Sequence, residues 1–453
     1  MYRNTCIMSR KTLGELEISS MVAKVKKIIH FLFAIASYWF YGRPARNLIV
    51  VGVTGTKGKS TTCRFIASVL EAGGYKVGLL STVEFQIGEK RWLNSRKMTM
   101  LGRGEIQKML RDMVKAGCQY VVVETSSEGI LQYRHYGLLY DIAVFTNLGT
   151  EHSERHGGFE NLRADKGKMF KALTKHQPKV INGKKIPRII IANADDSNAP
   201  YYLNFSADEK WEYSLKSKFV SLSGQKNFAV SNIQNNEQGS VFEIAGTQFQ
   251  IHLVGEFNIP NALAAIAVGS SQGITPDKIA AGLESVTVLA GRMEFIDEGQ
   301  PFKVVVDYAH EPMSLTALFT TLRQLAGPRG KSIAIVGSDG GGRDKGKRGK
   351  MGEVAGQLTD IVIVTDVNCF DEDPKEIAEM LAVGARGAGK KDNENVFIEV
   401  DRRKAIEKAF ALARAGDVVA ITAKGTEPCI IVANGKKIPW DDREVARELL
   451  TRK

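Results

Sequence analysis

The run Gly55-Thr56-Lys57-Gly58-Lys59-Ser60-Thr61-Thr62 follows an apolar segment, LIVVGVTG over 48–55, and opens a helix-forming segment over 60–72. Backbone N–H groups in such a glycine-rich turn, together with the unpaired N–H groups of a helix N-terminus, hold phosphate oxygens. Lys59 would neutralise β- and γ-phosphate charge, and the Ser60 hydroxyl would ligate Mg2+. The spacing departs from strict G-x-x-x-x-G-K-[ST], because position 53 is Val. The strand–loop–helix context and the intact Gly-Lys-Ser compensate. The plain alternative is a glycine-rich turn that binds no nucleotide. A second chemical residue, Glu124, ends the apolar run YVVVET over 120–125, where an unpaired carboxylate would be costly.

The elements that must position these groups alternate. LIVVGVTG, KVGLLST (76–82), YVVVET, DIAVFTNL (141–148) and RIIIANADD (188–196) read as buried strands. Helical spacing marks 60–72, and EIQKMLRDMVKAG (105–117) adds a glycine stop. Residues 215–254 read as a polar, β-rich subsidiary sheet, and 258–273 as a helix. A second set of strands begins near Gly291: 302–310, 332–342, 360–366, 395–400 and 417–425. The pattern predicts an α/β fold. Its central P-loop ATP-binding domain (48–290), with a mostly parallel sheet, precedes a C-terminal Rossmann-like α/β domain (291–453). Residues 1–47 form a separate basic, apolar helical segment.

With 453 residues, 43% hydrophobic and 25% charged, the chain is a multidomain globular protein, which excludes disorder, collagen-like repeats and a polytopic membrane protein. The net charge of +12 favours acidic ligands such as phosphates or anionic lipid heads. No long Lys/Arg block points to nucleic acid. The five cysteines are scattered and form no CxxC pair, which fits a reducing, cytoplasmic setting rather than a zinc site or disulfides. The stretch IIHFLFAIASYWFY (28–41) is flanked by Lys24, Lys26 and Lys27 and by Arg43 and Arg46. It is short for a bilayer span and lacks a signal-peptide cleavage site. A helix packed on the body of the protein and an interfacial helix on an anionic membrane through 24–46, peripheral at the inner membrane face, are the two main readings, with spanning a third.

Further motifs run in one order from about residue 48 to 430: GTKGKSTT, VETSSEG (123–129), FTNLGTEHSERHG (145–157), RADKGKMF (163–170), GEFNIPN (255–261), GRME (291–294), DYAHEP (307–312), GGGRDKGKRGKMGEVA (340–355) and KGTE (424–427). Together they resemble the Mur ligases, ATP-dependent amide-forming enzymes of peptidoglycan synthesis. GRME, DYAHEP and RDKGKR look most like the tripeptide-forming branch. The resemblance implies addition of a diamino acid, L-lysine or meso-diaminopimelate, to UDP-MurNAc-L-Ala-D-Glu. The acceptor carboxylate attacks the γ-phosphate of ATP, and an amine then displaces phosphate from the acyl phosphate.

The resemblance also assigns roles. Gly55, Thr56, Lys57, Gly58, Lys59, Ser60 and Thr61 match the ATP loop, and Asn258 and Asn261 its adenine side. Arg292, Asp307 and His310 match residues that close over the nucleotide. Ser60, Glu124, His152 and Lys166, the last as a carbamate, match metal ligands, and Lys59, Glu124, His152 and Lys166 the catalytic set. His156 is balanced between packing and function. Thr99, Ser127, Gln132 and Arg134 match acceptor-binding positions. Arg343 and Asn368 match residues on the α-groups of the incoming amino acid, and Glu427 one at its far end.

Four departures stand out. The family's T-T-P reads Met98-Thr99-Met100, and the His after its S-S is Glu128. The Asp-Asn-Pro-Arg of diaminopimelate-adding members reads Val367-Asn368-Cys369-Phe370, which removes the arginine for a distal carboxylate. The following Asp371-Glu372-Asp373 would then meet a terminal ammonium, favouring lysine, unless it is a solvated loop. Only about 47 residues precede the loop strand, too few for the usual uridine-binding domain. The competing readings are a folylpolyglutamate- or cyanophycin-synthetase-like ligase and a membrane-associated nucleotide-binding scaffold without catalysis.

Overall fold

The computed structural model describes residues 13–96, 98–149, 156–216, 226–342 and 344–451, with side chains from residue 25 onward except at 226 and 227. The described residues start with helix α1 (Leu13–Phe40), followed by strand β1 (Ile49–Thr54), helix α2 (Lys59–Ala72), β2 (Val77–Leu80), β3 (Glu84–Ile87) and β4 (Lys90–Leu93). Then come α3 (Arg103–Lys115), β5 (Tyr120–Glu124), the short α4 (Ser127–Leu131), β6 (Ile142–Phe145) and α5 (Phe159–Ala172). Strands β7 (Ile189–Asn193), β8 (Glu209–Ser214) and β9 (Lys226–Ala229) complete a sheet ordered β9-β8-β7-β6-β1-β5-β2-β3-β4. All its pairings are parallel except those of the β2-β3-β4 edge.

Alternation along the strands explains the layers. Val51 and Val53 face α2 and helix α6 (Ile259–Ser271) in one core, while Val50 faces α3 and α5 in the other. Both faces are covered, which is why β1, β5 and β6 are continuous apolar runs rather than alternating ones. The polar stretch 215–254 divides. Strand β9 joins β8 at the edge of the main sheet, and 231–236, 239–244 and 247–251 form a separate antiparallel sheet.

A second sheet holds β10 (Glu294–Ile296), β11 (Lys303–Val306), β12 (Ser332–Val336), β13 (Ile361–Val364), β14 (Val396–Ile398) and β15 (Val418–Ile421), ordered β10-β11-β15-β12-β13-β14. It is parallel apart from the β10–β11 pair, with helices on both faces.

The apolar stretch 28–41 lies mostly within a longer helix than its hydropathy outlines. Among the described residues no helix is long and apolar enough to cross a membrane. One face of α1 packs on the body through Ala34, Ser37 and Tyr38, all buried, with Phe31 against Tyr133 and Tyr136. The helix ends where Gly42 and Arg43 take positive φ and Pro44 follows.

Candidate active site

Strand order sets the site. β1 lies between β5 and β6, and Val53 pairs with Glu124 while Thr54 pairs with Phe145. The loop after β1, the end of β5 and the turn after β6 therefore emerge side by side at the carboxyl edge, where α/β sheets bind ligands.

The loop is tied down from each side. Asn147 Oδ1 accepts from Lys57 N (2.8 Å), Thr146 Oγ1 donates to Lys57 O (2.8 Å), and Lys59 Nζ donates to Thr56 O (2.8 Å). Gly58 has φ +78°, and a Cβ there would lie 2.1 Å from Asn261 Oδ1. Only glycine supplies that conformation without strain and lets α6 approach the loop. Asn261 also accepts from Thr62 Oγ1 (3.2 Å) and donates to Asn258 Oδ1 (3.2 Å). No side chain caps α2, so its first N–H groups are directed at the loop's mouth.

Glu124, 2% exposed, accepts from Ser60 Oγ (2.9 Å) and from Thr82 N (2.7 Å) through the same oxygen. At the other end of the loop the buried Lys166, on α5, donates from Nζ to Gly55 O (2.9 Å). A buried carboxylate and a serine hydroxyl, joined at the helix end of a phosphate-type loop, form a hard-oxygen donor pair suited to Mg2+. Among the described residues no three His, Cys, Asp or Glu side chains gather into a metal-sized group. His152 lies outside the described residues, as does Arg343. His156 is engaged in structure: its Nδ1 pairs with Asp165 Oδ2 at 2.6 Å, buried against α5.

The acceptor-type residues cluster beside this loop. Thr99 Oγ1 bonds Thr82 Oγ1 (3.0 Å), which joins it to Glu124 through the Thr82 backbone. Ser127 opens α4. Arg134 donates to Gln132 Oε1 (2.7 Å) and Met100 O (2.6 Å), so these two acceptor-type residues form one unit.

The second sheet faces this edge with its own carboxyl ends. Asp307, after β11, accepts from Met293 N (2.8 Å) and Ala309 N (2.7 Å). Burial pushes its carboxyl up, against the pull of Arg292, the two N–H groups and the loop residue Lys57. Arg292 stacks over the Tyr308 ring (4.4 Å), and His310 Nδ1 is 2.7 Å from Tyr308 O. Gly291 is so close to Gly425 that a Cβ would come within 2.6 Å, which packs the GRME turn on the KGTE loop.

Asn368 Nδ2 donates to Asp339 Oδ1 (2.7 Å) and Glu427 Oε2 (3.1 Å), and the fully buried Lys424 donates to Glu427 Oε2 (3.0 Å). One cleft is lined by Thr82, Asn94 and Thr99 from the first lobe and by Arg292, Tyr308 and Glu427 from the second. The acidic run does not present three free carboxylates. Asp373 caps the helix that follows it, Asp371 accepts from Asn434 N, and Glu372 pairs with Arg348 and Lys345. The Arg348 guanidinium and the Gly342 N–H hold the Glu372 carboxyl well down, at about 2. The solvated-loop reading of this run thus comes closer than the ammonium-binding one, although its side chains serve local pairs.

Residue-by-residue reading gave no role to Thr82, Asn147, Asp339 or Lys424. Asn147 and Lys424 sit inside motifs already noted, FTNLGTEH and KGTE. Thr82 carried no signal in the sequence; it acts through its backbone N–H on Glu124 and its hydroxyl on Thr99.

The Mur ligase middle domain matches residues 53–269, and the Mur ligase glutamate ligase domain matches residues 291–425. The chain belongs to the Mur ligases. It is an enzyme, an ATP-dependent ligase. A UDP-N-acetylmuramyl-tripeptide synthetase of Roseiflexus sp. (strain RS-1) is 38% identical over 419 residues, covering 91% of this chain and 80% of the relative. A UDP-N-acetylmuramoyl-L-alanyl-D-glutamate–2,6-diaminopimelate ligase of Geobacillus kaustophilus is 36% identical over 91% of this chain and 81% of its own length. A solved 2,6-diaminopimelate ligase structure superposes with a TM-score of 0.58 at 28% identity, covering 89% of this Mur ligase and 78% of that chain. A Mycobacterium tuberculosis folylpolyglutamate synthase reaches 0.65 at 18% identity, over 86% and 92%, and shares the fold alone.

Proposed function

We propose that this Mur ligase extends a peptidoglycan precursor, joining a diamino acid, L-lysine or meso-diaminopimelate, to UDP-MurNAc-L-Ala-D-Glu with ATP. The observation that carries the reading is the cleft: on one side Thr82, whose N–H is bonded to the Glu124 carboxylate that holds Ser60 of the phosphate loop, and on the other Glu427, bonded to Asn368 and Lys424. Relatives named for this reaction cover most of the chain, which weighs against the folylpolyglutamate- and cyanophycin-type alternatives. The intact Glu124–Ser60 pair weighs against a scaffold without catalysis.

In this reading the chain divides at about residues 47 and 291. Residues 55–61, Asn258 and Asn261 hold ATP, and Arg292, Asp307 and His310 close on it. Ser60 and Glu124, with His152 and a Lys166 carbamate, would hold Mg2+, which supplies positive charge at the phosphates. Lys59 offsets charge on the transferring phosphate. Thr99, Ser127, Gln132 and Arg134 orient the acceptor carboxylate for attack on the γ-phosphate. Asn368 and Glu427, with Arg343, orient the amine that then displaces phosphate, so that one ATP gives one amide, ADP and phosphate. Closure of the two lobes excludes water from the acyl phosphate. Small-molecule substrates suffice for this chemistry, and residues 24–46 add a peripheral contact with a membrane surface.

The test is ADP release with each substrate omitted in turn. The reading expects turnover only when the muramoyl dipeptide and a diamino acid are both present. Equal ADP release without the acceptor would refute it. For Lys166, a carbamate carbon resonance from 13C-bicarbonate is expected in the wild type and should vanish in Lys166→Arg.

A further inference from the structure

The two faces of α1 are used unequally. Inward, Phe31 and Tyr38 pack on Tyr133, Tyr136 and Gly137, next to Arg134. Outward, Val25, Ile28, Ile29, Leu32, Trp39 and Phe40 are between 48% and 79% exposed. Their spacing of three, four and seven residues makes one continuous stripe along the helix. An apolar stripe of this length left in water marks an interaction surface.

Charge identifies the occupant. No acidic residue occurs between Glu17 and Glu71. Lys26 and Lys27 stand at one end of the stripe and Arg43 and Arg46 at the other, with Arg43 stacked over the Trp39 ring at 4.6 Å. Behind the helix, burial and the nearby Arg103, Arg134 and Lys26 lower the proton affinity of His30, so the surroundings are electropositive. Exposed apolar residues with an aromatic at the rim and basic residues at both ends suit a helix lying in the headgroup region. A second copy of this chain would bring the same basic ends together.

We propose that the outer face of α1 seats the protein on an anionic lipid bilayer, with the helix in the plane of the interface and the 127–134 acceptor segment held at the bilayer surface. This rests on the membrane-contact part of the function proposed above, not on its ligation chemistry. It adds the lipid class, the face of the helix and the placement of the acceptor mouth.

The experiment is co-sedimentation of the full chain with phosphatidylcholine vesicles, with and without phosphatidylglycerol. Wild type is expected to bind the phosphatidylglycerol vesicles, less so at raised salt. Ile29→Glu with Leu32→Glu should lower the partition coefficient more than about 100-fold, since both side chains are exposed in the folded protein. Lys26→Gln with Lys27→Gln should lower it about 25-fold, from about fivefold per charge. ADP release in vesicle-free solution, equal in wild type and both variants, separates a failure of docking from a failure of the ligase reading. Equal binding to neutral and anionic vesicles, no binding to either, or a dimer that the Ile29→Glu/Leu32→Glu variant dissociates would each overturn the proposal.

Discussion

Replacing Glu124 with Gln removes one negative charge and keeps the size and an acceptor oxygen of the side chain. In the structure a single carboxylate oxygen accepts from Ser60 Oγ at 2.9 Å and Thr82 N at 2.7 Å. A hydrogen bond to a charged acceptor is worth about 1 kcal/mol more than one to a neutral acceptor. Two such bonds lose about 2 kcal/mol, which is about 30-fold in rate if it falls on the positioning of the loop in the transition state. Loss of the charge toward Mg2+ adds to this, so about 30-fold is the floor. The assay is coupled ADP release at saturating ATP, with the melting temperature measured in parallel. The expected result is at least about a 30-fold fall in kcat for Glu124→Gln with a melting temperature close to wild type. Activity within about threefold of wild type would refute the claim that this buried carboxylate organises the phosphate site.

Gly58→Ala should raise the KM for ATP by about 5- to 30-fold, from a positive-φ cost of about 1–2 kcal/mol, and unchanged ATP saturation curves would contradict this. Phe370→Arg should shift product composition toward diaminopimelate by about 10- to 100-fold, the worth of one charged hydrogen-bonded pair, read by competing the two amino acids and weighing the products. Glu372, with a folded value near 2 and an unfolded one near 4.5, is stabilising above about pH 4.5, and that contribution disappears as pH falls toward 2. The gap in melting temperature between wild type and Glu372→Gln should therefore be constant at neutral pH and close on acidification.

The phosphate loop and its partner were legible because both rest on local pattern. A continuous apolar strand, a glycine turn and a helix start place Ser60, and a carboxylate at the end of another buried strand demands a cation or donor. What the chain order could not reveal is strand order. That β5 and β6 flank β1, and so bring Glu124 and Asn147 to the same loop, is a property of the sheet. Strand β9 illustrates the same limit. It lies in the polar stretch 215–254 that reads as a subsidiary sheet, yet it pairs with β8 at the edge of the main one, where fewer apolar neighbours are needed. The acidic run 371–373 looked available in sequence because its partners, Arg348, Lys345 and Asn434, are remote along the chain. For α1, hydropathy marked the 28–41 core of the helix but not which side of it meets the protein. That depends on Tyr133 and Tyr136, about a hundred residues away.

The central claim is that one cleft activates a peptide carboxylate with ATP and joins it to a diamino acid. The most direct measurement is mass spectrometry of the acceptor after incubation of the pure protein with ATP, Mg2+, UDP-MurNAc-L-Ala-D-Glu and a mixture of amino acids. The account predicts a mass gain equal to one diamino acid less water, matched mole for mole by ADP. ADP formed with a different acceptor while the muramoyl dipeptide stays unchanged, or no ADP at all, would contradict it.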